Sequence, residues 1–210
     1  MNALVILAGG LSSRMGQDKV FLDFGGKTFL ETTLDKAYGL FDRIVIAGGS
    51  RMHAEQIYEY LKSKNLMCTS RQPEILVDAY ESIGPMGGIM TVFEQTDIQE
   101  FACISVDMPL AEMKVLALLL KELKESEKGA FMLADLEGRL EPCVAAYSRR
   151  TYASLKEAEA VGDHSLTRTL KDEIQPVYLH HIMKRIPGLN EHAVSDLFRN
   201  VNTAEEYSAL

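Results

Sequence analysis

The sequence is poor in several features that mark particular classes of protein. It has no tryptophan, only 3 cysteines and 6 prolines among 210 residues, and no apolar run near the ~20 residues that a membrane-spanning helix needs. Cys68, Cys103 and Cys143 are odd in number and too far apart for a CxxC metal site, so we expect reduced thiols. The first residues lack a basic leader and a cleavage site. These absences predict a cytoplasmic protein with no membrane association.

Positive charge is also scarce. The chain carries 22 lysines and arginines against 30 aspartates and glutamates, a formal net charge of −8. No general basic field is available to attract nucleic acid, so an anionic ligand must be met by a local site. With 47% hydrophobic and 25% charged residues, the composition is that of a soluble globular protein, and we expect residues 1–210 to form a single domain.

The hydrophobic pattern alternates between strand-like and helix-like segments. Buried strands are predicted at 3–7, 43–47, 101–106, 131–134 and 144–147. Helices are predicted at 29–40, 52–62, 87–95, 110–125 and 151–160, with Pro109 at the start of the fourth. A turn at Glu137-Gly138 could join an antiparallel hairpin. The pattern indicates an α/β fold, a single-domain Rossmann-like three-layer α/β/α arrangement with a mostly parallel sheet, whose ligands bind at the carboxyl ends of the strands.

The first predicted strand runs directly into the segment LAGGLSSRMGQDK, residues 7–19. Gly9 and Gly10 allow the backbone to approach an anion with its amides turned inward, and Arg14 and Lys19 add positive charge. The spacing matches neither GxGxxG nor GxxxxGK[ST], so neither a dehydrogenase nor a P-loop enzyme is favoured. The segment predicts a phosphate-binding loop of another kind.

Asp107 follows the predicted strand 101–106, at a carboxyl end of the sheet. A carboxylate there can hold Mg²⁺ that bridges nucleotide phosphates, since this ion needs only one or two protein carboxylates. The alternative is that Asp107 caps the helix 110–125. The segment Gly84-Pro85-Met86-Gly87-Gly88 places backbone near a ligand at a helix start, with an ordinary turn as its alternative.

The segment 7–19 fills every fixed position of the pattern L-A-G-G-x-S-x-R-M-G-x-D-K and resembles the MobA-type nucleotidyltransferases. Three later segments resemble further motifs of that family in the same order. They are 84–88 (G-P-L-x-G), 106–109 (D-x-P) and 200–203 (N-x-N-T). The resemblance therefore extends over almost the whole chain and implies the fold of nucleotide-diphospho-sugar transferases.

The resemblance implies an enzyme that transfers GMP from Mg²⁺-GTP to the phosphate of molybdopterin in the molybdenum cofactor and releases pyrophosphate. The N-terminal part would bind the nucleotide and the C-terminal part the acceptor. The implied partners are GTP, molybdopterin, and proteins of cofactor delivery and molybdoenzyme maturation. Two alternatives stay open: a related enzyme that uses CTP or a sugar or alcohol phosphate, and a non-catalytic nucleotide- or pterin-binding protein.

The resemblance also assigns roles to individual residues. The implied catalytic residues are Arg14, Lys19 and Asp107, and the implied metal ligand is Asp107, with Asn202 as a second candidate. The implied nucleotide-binding residues are Leu7, Ala8, Gly9, Gly10, Lys19, Asp78, Gly84, Pro85, Gly88 and Asp107. The implied acceptor-binding residues are Asn200 and Asn202. A solvated loop aspartate is the alternative for Asp78.

Ala47 departs from the family pattern, because some members have an asparagine there that contacts the nucleotide. The backbone of Gly48 and Gly49 is the candidate replacement. Asp163, His164 and Ser165 have the composition of a catalytic triad, but triad members come from distant positions, so a local loop is expected.

Two further local features are interpreted as structural. His180 and His181 are adjacent and have no nearby ligand cluster, which argues against a metal site. Thr203 and Glu206 predict a capping box that starts a last helix, 204–210.

Overall fold

The chain folds around one seven-stranded sheet. The computed structural model describes residues 1–9, 18–67, 72–80, 82–135, 137–186, 199–201, 203 and 206–207. Its strands are β1 (Ala3–Leu7), β2 (Asp23–Phe24), β3 (Lys27–Thr28), β4 (Arg43–Ala47), β5 (Glu74–Leu76), β6 (Glu100–Ser105), β7 (Ala130–Ala134), β8 (Leu140–Ser148) and β9 (Ile174–Tyr178). Its helices are α1 (Phe29–Ala37), α2 (Arg51–Ser63), α3 (Pro85–Gln95), α4 (Met113–Lys124), α5 (Tyr152–Ala160), α6 (Leu166–Thr169) and α7 (Leu179–Met183). None of the described helices is long and apolar enough to cross a membrane.

The strand order in the sheet is β5-β4-β1-β6-β8-β7-β9. β8 runs antiparallel to both of its neighbours, whereas the other paired strands of this sheet run parallel. β1 lies at the centre of the parallel part, with Leu7 in register with Ala47 of β4 and Ser105 of β6. The carboxyl ends of these three strands therefore end at the same level, and the loops that follow them are neighbours.

Hydrophobic cores lie on both faces of the sheet because successive side chains of a buried strand point to opposite sides. Leu4 and Ile6 of β1 belong to the core that packs against α1, α2 and α4. Ala3, Val5 and Leu7 belong to the core that packs against α3, α5 and α6. The predicted three-layer α/β/α architecture with a mostly parallel sheet is confirmed.

Several predicted elements match the structure closely. β1 and β4 have the bounds predicted for the first two strands. β7 and β8 form the predicted antiparallel hairpin, and Gly138 in its turn has a positive φ of 83°. The sequence analysis missed the sheet strands β5 and β9 and the small β2-β3 hairpin.

The predicted helix start at Pro109 is wrong. α4 begins at Met113, and its N-cap is Glu112, whose side chain accepts the Lys114 amide at 3.1 Å. Pro109 lies before the helix, where its carbonyl accepts a hydrogen bond from the Lys36 ammonium at 2.6 Å. Asp107 therefore does not cap this helix, so the alternative role that the sequence left open for it is wrong.

Candidate functional site

The parallel strands β1, β4, β5 and β6 end at one edge of the sheet, where the loops that follow them meet. This edge carries Gly9 after β1, Gly49 after β4, Asp78 after β5 and Asp107 after β6. The sheet order thus brings Gly9, Asp78 and Asp107, which were predicted to bind the nucleotide, to one edge of the sheet. Gly10, Arg14 and Asn202 lie outside the described residues.

Lys19 and Asp107 form the central polar contact of this edge. The Lys19 ammonium lies 2.7 Å from Oδ2 of Asp107, although the two residues are 88 positions apart. Their side chains are only 16% and 14% exposed, so the pair is largely shielded from solvent. The other carboxylate oxygen of Asp107, Oδ1, is buried without a hydrogen-bond partner among the described residues. A buried anionic oxygen of this kind is costly unless a cation or a donor satisfies it.

The C-terminal segment docks onto the same aspartate. The Val201 amide donates a hydrogen bond to the Asp107 carbonyl at 3.0 Å, and the Val201 side chain is fully buried. This contact brings Asn200 to the site, and its side-chain Oδ1 is buried with no hydrogen-bond partner in the described part of the chain. Two unsatisfied acceptor oxygens, on Asn200 and Asp107, therefore belong to segments that touch each other.

Asp78 lies among glycines rather than in solvent. Its amide donates to the Gly49 carbonyl at 2.8 Å, and its Oδ2 would lie 3.0 Å from a Cβ atom added at Gly9. Burial raises the pKa of Asp78, while the amide of Gly49 and the charge of His53 act in the opposite direction. The Oδ1 atom is buried without a partner among the residues described. The alternative of a solvated loop aspartate is wrong.

The backbone of Gly9 does not act as predicted. Its amide and that of Ala8 both donate to the Ala47 carbonyl, at 3.0 and 2.9 Å, so the Gly9 amide is used within the fold and does not turn toward an anion. A glycine is required here for another reason: a Cβ at Gly9 would lie 2.9 Å from the Cα of Gly49. The Gly49 backbone, the expected replacement for the family asparagine at Ala47, does lie against this loop.

The segment 84–88 combines a turn with a helix start. Gly84 has a positive φ of 66° and is the N-cap residue of α3, with Pro85 as the first helical residue. Gly88 is buried, and a Cβ there would lie 2.8 Å from Cδ2 of Leu7 and 3.1 Å from Cβ of Ala47. Gly88 therefore allows α3 to pack closely on β1 and β4. The side chains of Leu7 and Ala8 are buried as well.

Three functional candidates at this edge were missed by sequence reasoning. Asp18 and His53 form an ion pair, with Oδ2 and Nε2 2.7 Å apart. Glu141, at the start of β8, accepts the Cys143 amide at 3.0 Å, and its pKa is raised by burial and further by the negative charge of Asp107. Asp18 stands next to Lys19 in the motif of residues 7–19, which was the only sequence signal for it. No sequence signal indicated His53 or Glu141.

The remaining sequence candidates have local roles in the structure. Asp163 forms an ion pair with Arg168 at 2.7 Å, as expected for a loop rather than a triad. Ser165 is the N-cap residue of α6, although its side chain makes no capping hydrogen bond. His180 and His181 are exposed on α7. The Thr203 capping box is confirmed by reciprocal bonds with Glu206 at 3.0 and 3.1 Å, whereas 204–205 and 208–210 lie outside the described residues.

An open, mostly parallel sheet with a lysine-carboxylate pair at the carboxyl ends of its central strands has its polar side chains where α/β proteins of this class bind their ligands. Residues 4–177 match the MobA-like NTP transferase domain. The chain belongs to this family and is a nucleotidyltransferase.

Comparisons over nearly the full length support the family assignment. The chain is 31% identical over 207 residues to a probable molybdenum cofactor guanylyltransferase of Thermococcus gammatolerans, covering 98% of this chain and 96% of that protein. A probable molybdenum cofactor guanylyltransferase of Bacillus velezensis is 28% identical over 206 residues, covering 98% and 92%. The fold is similar to the crystal structure of molybdopterin-guanine dinucleotide biosynthesis protein A from Archaeoglobus fulgidus, with a TM-score of 0.77, 22% identity and coverage of 99% and 95%.

The buried carboxylate of Asp78 leads to a pH-dependent prediction. Because burial raises its pKa in the folded state, its ionisation costs stability as the pH rises above its ordinary value of 3.8. Asp78→Asn removes that cost, so the variant should unfold at a higher urea concentration than the wild type at pH 7, and the difference should shrink toward pH 4.

Asp97→Asn is the matched control, because Asp97 is exposed and its ion pair with Arg43 lowers its pKa. This variant should be no more stable than the wild type at pH 7. An Asp78→Asn variant that is less stable than the wild type at pH 7 would contradict the placement of Asp78 as a buried, poorly compensated charge.

Proposed function

We propose that this nucleotidyltransferase is a molybdenum cofactor guanylyltransferase, which transfers GMP from Mg²⁺-GTP to the phosphate of molybdopterin and releases pyrophosphate. The observation that carries the proposal is the Lys19-Asp107 pair at the carboxyl edge of the sheet, in which Oδ1 of Asp107 has no hydrogen-bond partner among the described residues. The names of the relatives from Thermococcus gammatolerans and Bacillus velezensis support the choice of substrates.

Lys19 is assigned to the phosphates of the nucleotide. In the structure its ammonium is half of a shielded ion pair, a setting in which a point charge acts strongly on a phosphate oxygen. Transfer of a nucleotidyl group requires that negative charge on the α-phosphate and on the departing pyrophosphate be neutralised, with the two reacting phosphates held in line. Arg14 is assigned the same task within the loop that precedes Lys19.

Asp107 fits a divalent cation. Its Oδ1 is a buried anionic oxygen without a donor in the described residues, and the nearby carboxylate of Glu141 adds negative charge. The described residues contain no group of three or more histidine, cysteine, aspartate or glutamate side chains that could hold a metal ion. Mg²⁺ is usually bound by one or two protein carboxylates, with phosphate oxygens and water as its other ligands. When bound there, the ion supplies charge neutralisation for the phosphates of GTP. Asn202 remains the second candidate ligand.

The acceptor is assigned to the C-terminal part of the chain. Asn200 is held next to Asp107 through Val201, and its amide oxygen has no hydrogen-bond partner in the described part of the chain, so it is assigned to the second substrate. The attacking group is a phosphate oxygen of molybdopterin, which is already ionised at neutral pH, so the reaction needs no general base. Proteins that deliver the pterin or receive the product are the expected macromolecular partners.

The choice of base can be tested without the pterin. A nucleotide at 100 times its Kd adds about 2.7 kcal/mol to stability, which corresponds to roughly 5 to 10 °C in Tm for a chain of this size. We expect a shift of this order with GTP and Mg²⁺ and a much smaller shift with ATP, CTP or UTP. A shift seen only with CTP would identify CTP, and not GTP, as the substrate. The absence of a shift with every nucleotide would favour the non-catalytic alternative.

Lys19→Ala and Asp107→Ala should each lower the rate of GMP transfer by on the order of 10² or more, because each removes a charge that stabilises the transition state. Pyrophosphate release at saturating Mg²⁺, GTP and molybdopterin measures this rate. Lys62→Ala and Asp97→Ala are matched controls that remove an exposed lysine and an exposed aspartate away from the site, and they should retain the wild-type rate. Near-full turnover by Lys19→Ala and Asp107→Ala would refute the assignment.

A further inference from the structure

His53 connects two of the loops that form the site. It lies in the first turn of α2, the helix that follows β4, and its amide donates to the N-cap side chain of Ser50 at 3.3 Å. One ring nitrogen, Nδ1, lies 2.6 Å from the Gly48 carbonyl oxygen, and the other, Nε2, lies 2.7 Å from Oδ2 of Asp18. The imidazole thus bridges the loop after β4 and the returning end of the loop after β1.

The two partners of the ring determine its protonation state. A carbonyl oxygen and a carboxylate oxygen carry no proton, so a ring nitrogen without its own proton would set a lone pair against an oxygen lone pair at 2.6 or 2.7 Å. The contact of Nε2 with Asp18 is an ion pair rather than a well-aligned hydrogen bond. Both contacts are therefore favourable only when each ring nitrogen carries a proton. Only the imidazolium has two N–H donors, and a neutral histidine would have to give up one of the contacts. Consistent with this geometry, the hydrogen bond to Asp18 raises the pKa of His53, against the opposing effect of burial.

Asp18 connects His53 to the turn that begins with Lys19. While its Oδ2 meets His53, its Oδ1 accepts the Val20 amide at 3.0 Å and so caps the short 3-10 helix Lys19–Phe21. Both carboxylate oxygens of Asp18 are therefore engaged, one by His53 and one by the turn that begins with Lys19. The orientation of the Lys19 turn depends on where His53 holds that carboxylate.

The charges around the ring are negative in the described part of the chain. Asp18 comes from the turn before Lys19, and Asp78 comes from the loop after β5 and also favours the charged histidine. Phe21 contributes an uncharged ring edge, with the centroids 6.5 Å apart. The single positive charge of His53 thus offsets two carboxylates, those of Asp18 and Asp78.

We propose that His53 is a positioning residue of the transfer reaction: as an imidazolium it holds Asp18, and through Asp18 it sets the Lys19 turn for the nucleotide phosphates. This role rests on the proposed function, because it concerns how Lys19 meets GTP. The contribution of the pair is complete below the ordinary histidine pKa of about 6.5 and is lost as the pH rises through the higher value of the folded protein. Affinity for GTP therefore falls as the pH rises through that value.

The ionisation itself can be followed by NMR titration of the five histidines of the wild-type protein, with His53 assigned from a His53→Gln spectrum. We expect His53 to titrate above pH 6.5. Asp18→Asn keeps an oxygen that can accept the Val20 amide but removes the negative charge, so the pKa of His53 should fall toward its ordinary value. A wild-type His53 that titrates at or below 6.5, or a pKa that Asp18→Asn leaves unchanged, would overturn the proposal.

The functional consequence is tested by the Kd of Mg²⁺-GTP between pH 6 and 9. His53→Gln should weaken binding about tenfold at pH 6.5, the order expected for one lost charge-assisted hydrogen bond, and should abolish the pH-dependent step of the wild type. His164→Gln, which alters an exposed histidine, should retain the wild-type Kd and the step. Persistence of the step in His53→Gln would overturn the proposal.

Failure of the proposed function would be recognised separately. If the wild type binds no GTP at any pH, guanylyl transfer is refuted, while the NMR titration still decides whether His53 and Asp18 form the protonated pair. If His53→Gln does not fold, Asp18→Asn supplies the same test, because its pH-dependent step should move to lower pH together with the pKa of His53.

Discussion

The site depends on how the end of the loop after β1 is fixed on both sides. β1 lies between β4 and β6, and two consecutive residues of the loop, Asp18 and Lys19, are paired with residues that follow these two strands. Asp18 meets His53 on the β4 side, and Lys19 meets Asp107 on the β6 side. These two contacts fix the position of Lys19, and their partners come from the sheet order rather than from local sequence.

Small residues make this approach of the loops possible. Gly9 and Gly49 are so close that a single Cβ would force backbone apart, and Gly88 lets α3 pack directly on Leu7 and Ala47. The close packing has an electrostatic cost, because it sets the Asp78 carboxylate against Gly9 and leaves its Oδ1 buried with no partner among the described residues. Buried charges kept at a cost to stability are typical of functional sites, where the ligand supplies the missing partner.

The sequence predicted the parts of the fold that short-range patterns control. β1 is a fully buried apolar run, and β4 is a buried apolar run after Arg43, so their bounds were predictable. β5 is only three residues long and partly exposed, and β9 contains Pro176 and exposed residues at the sheet edge, so neither shows a strand pattern. Motif resemblance located Lys19, Asp78 and Asp107. The motifs could not show that the Gly9 amide donates to the Ala47 carbonyl or that His53 contacts Asp18, because both contacts depend on which strands are neighbours.

Transfer of GMP from GTP to the pterin can be followed directly by isotope labelling. The wild-type protein would be incubated with Mg²⁺, molybdopterin and GTP labelled at the α-phosphate, and label in the pterin product would be compared with pyrophosphate released. We expect label to enter the pterin in an amount equal to the pyrophosphate released, and only while both substrates are present. Label that stays out of the pterin, or that enters it from CTP and not from GTP, would contradict the proposed guanylyl transfer.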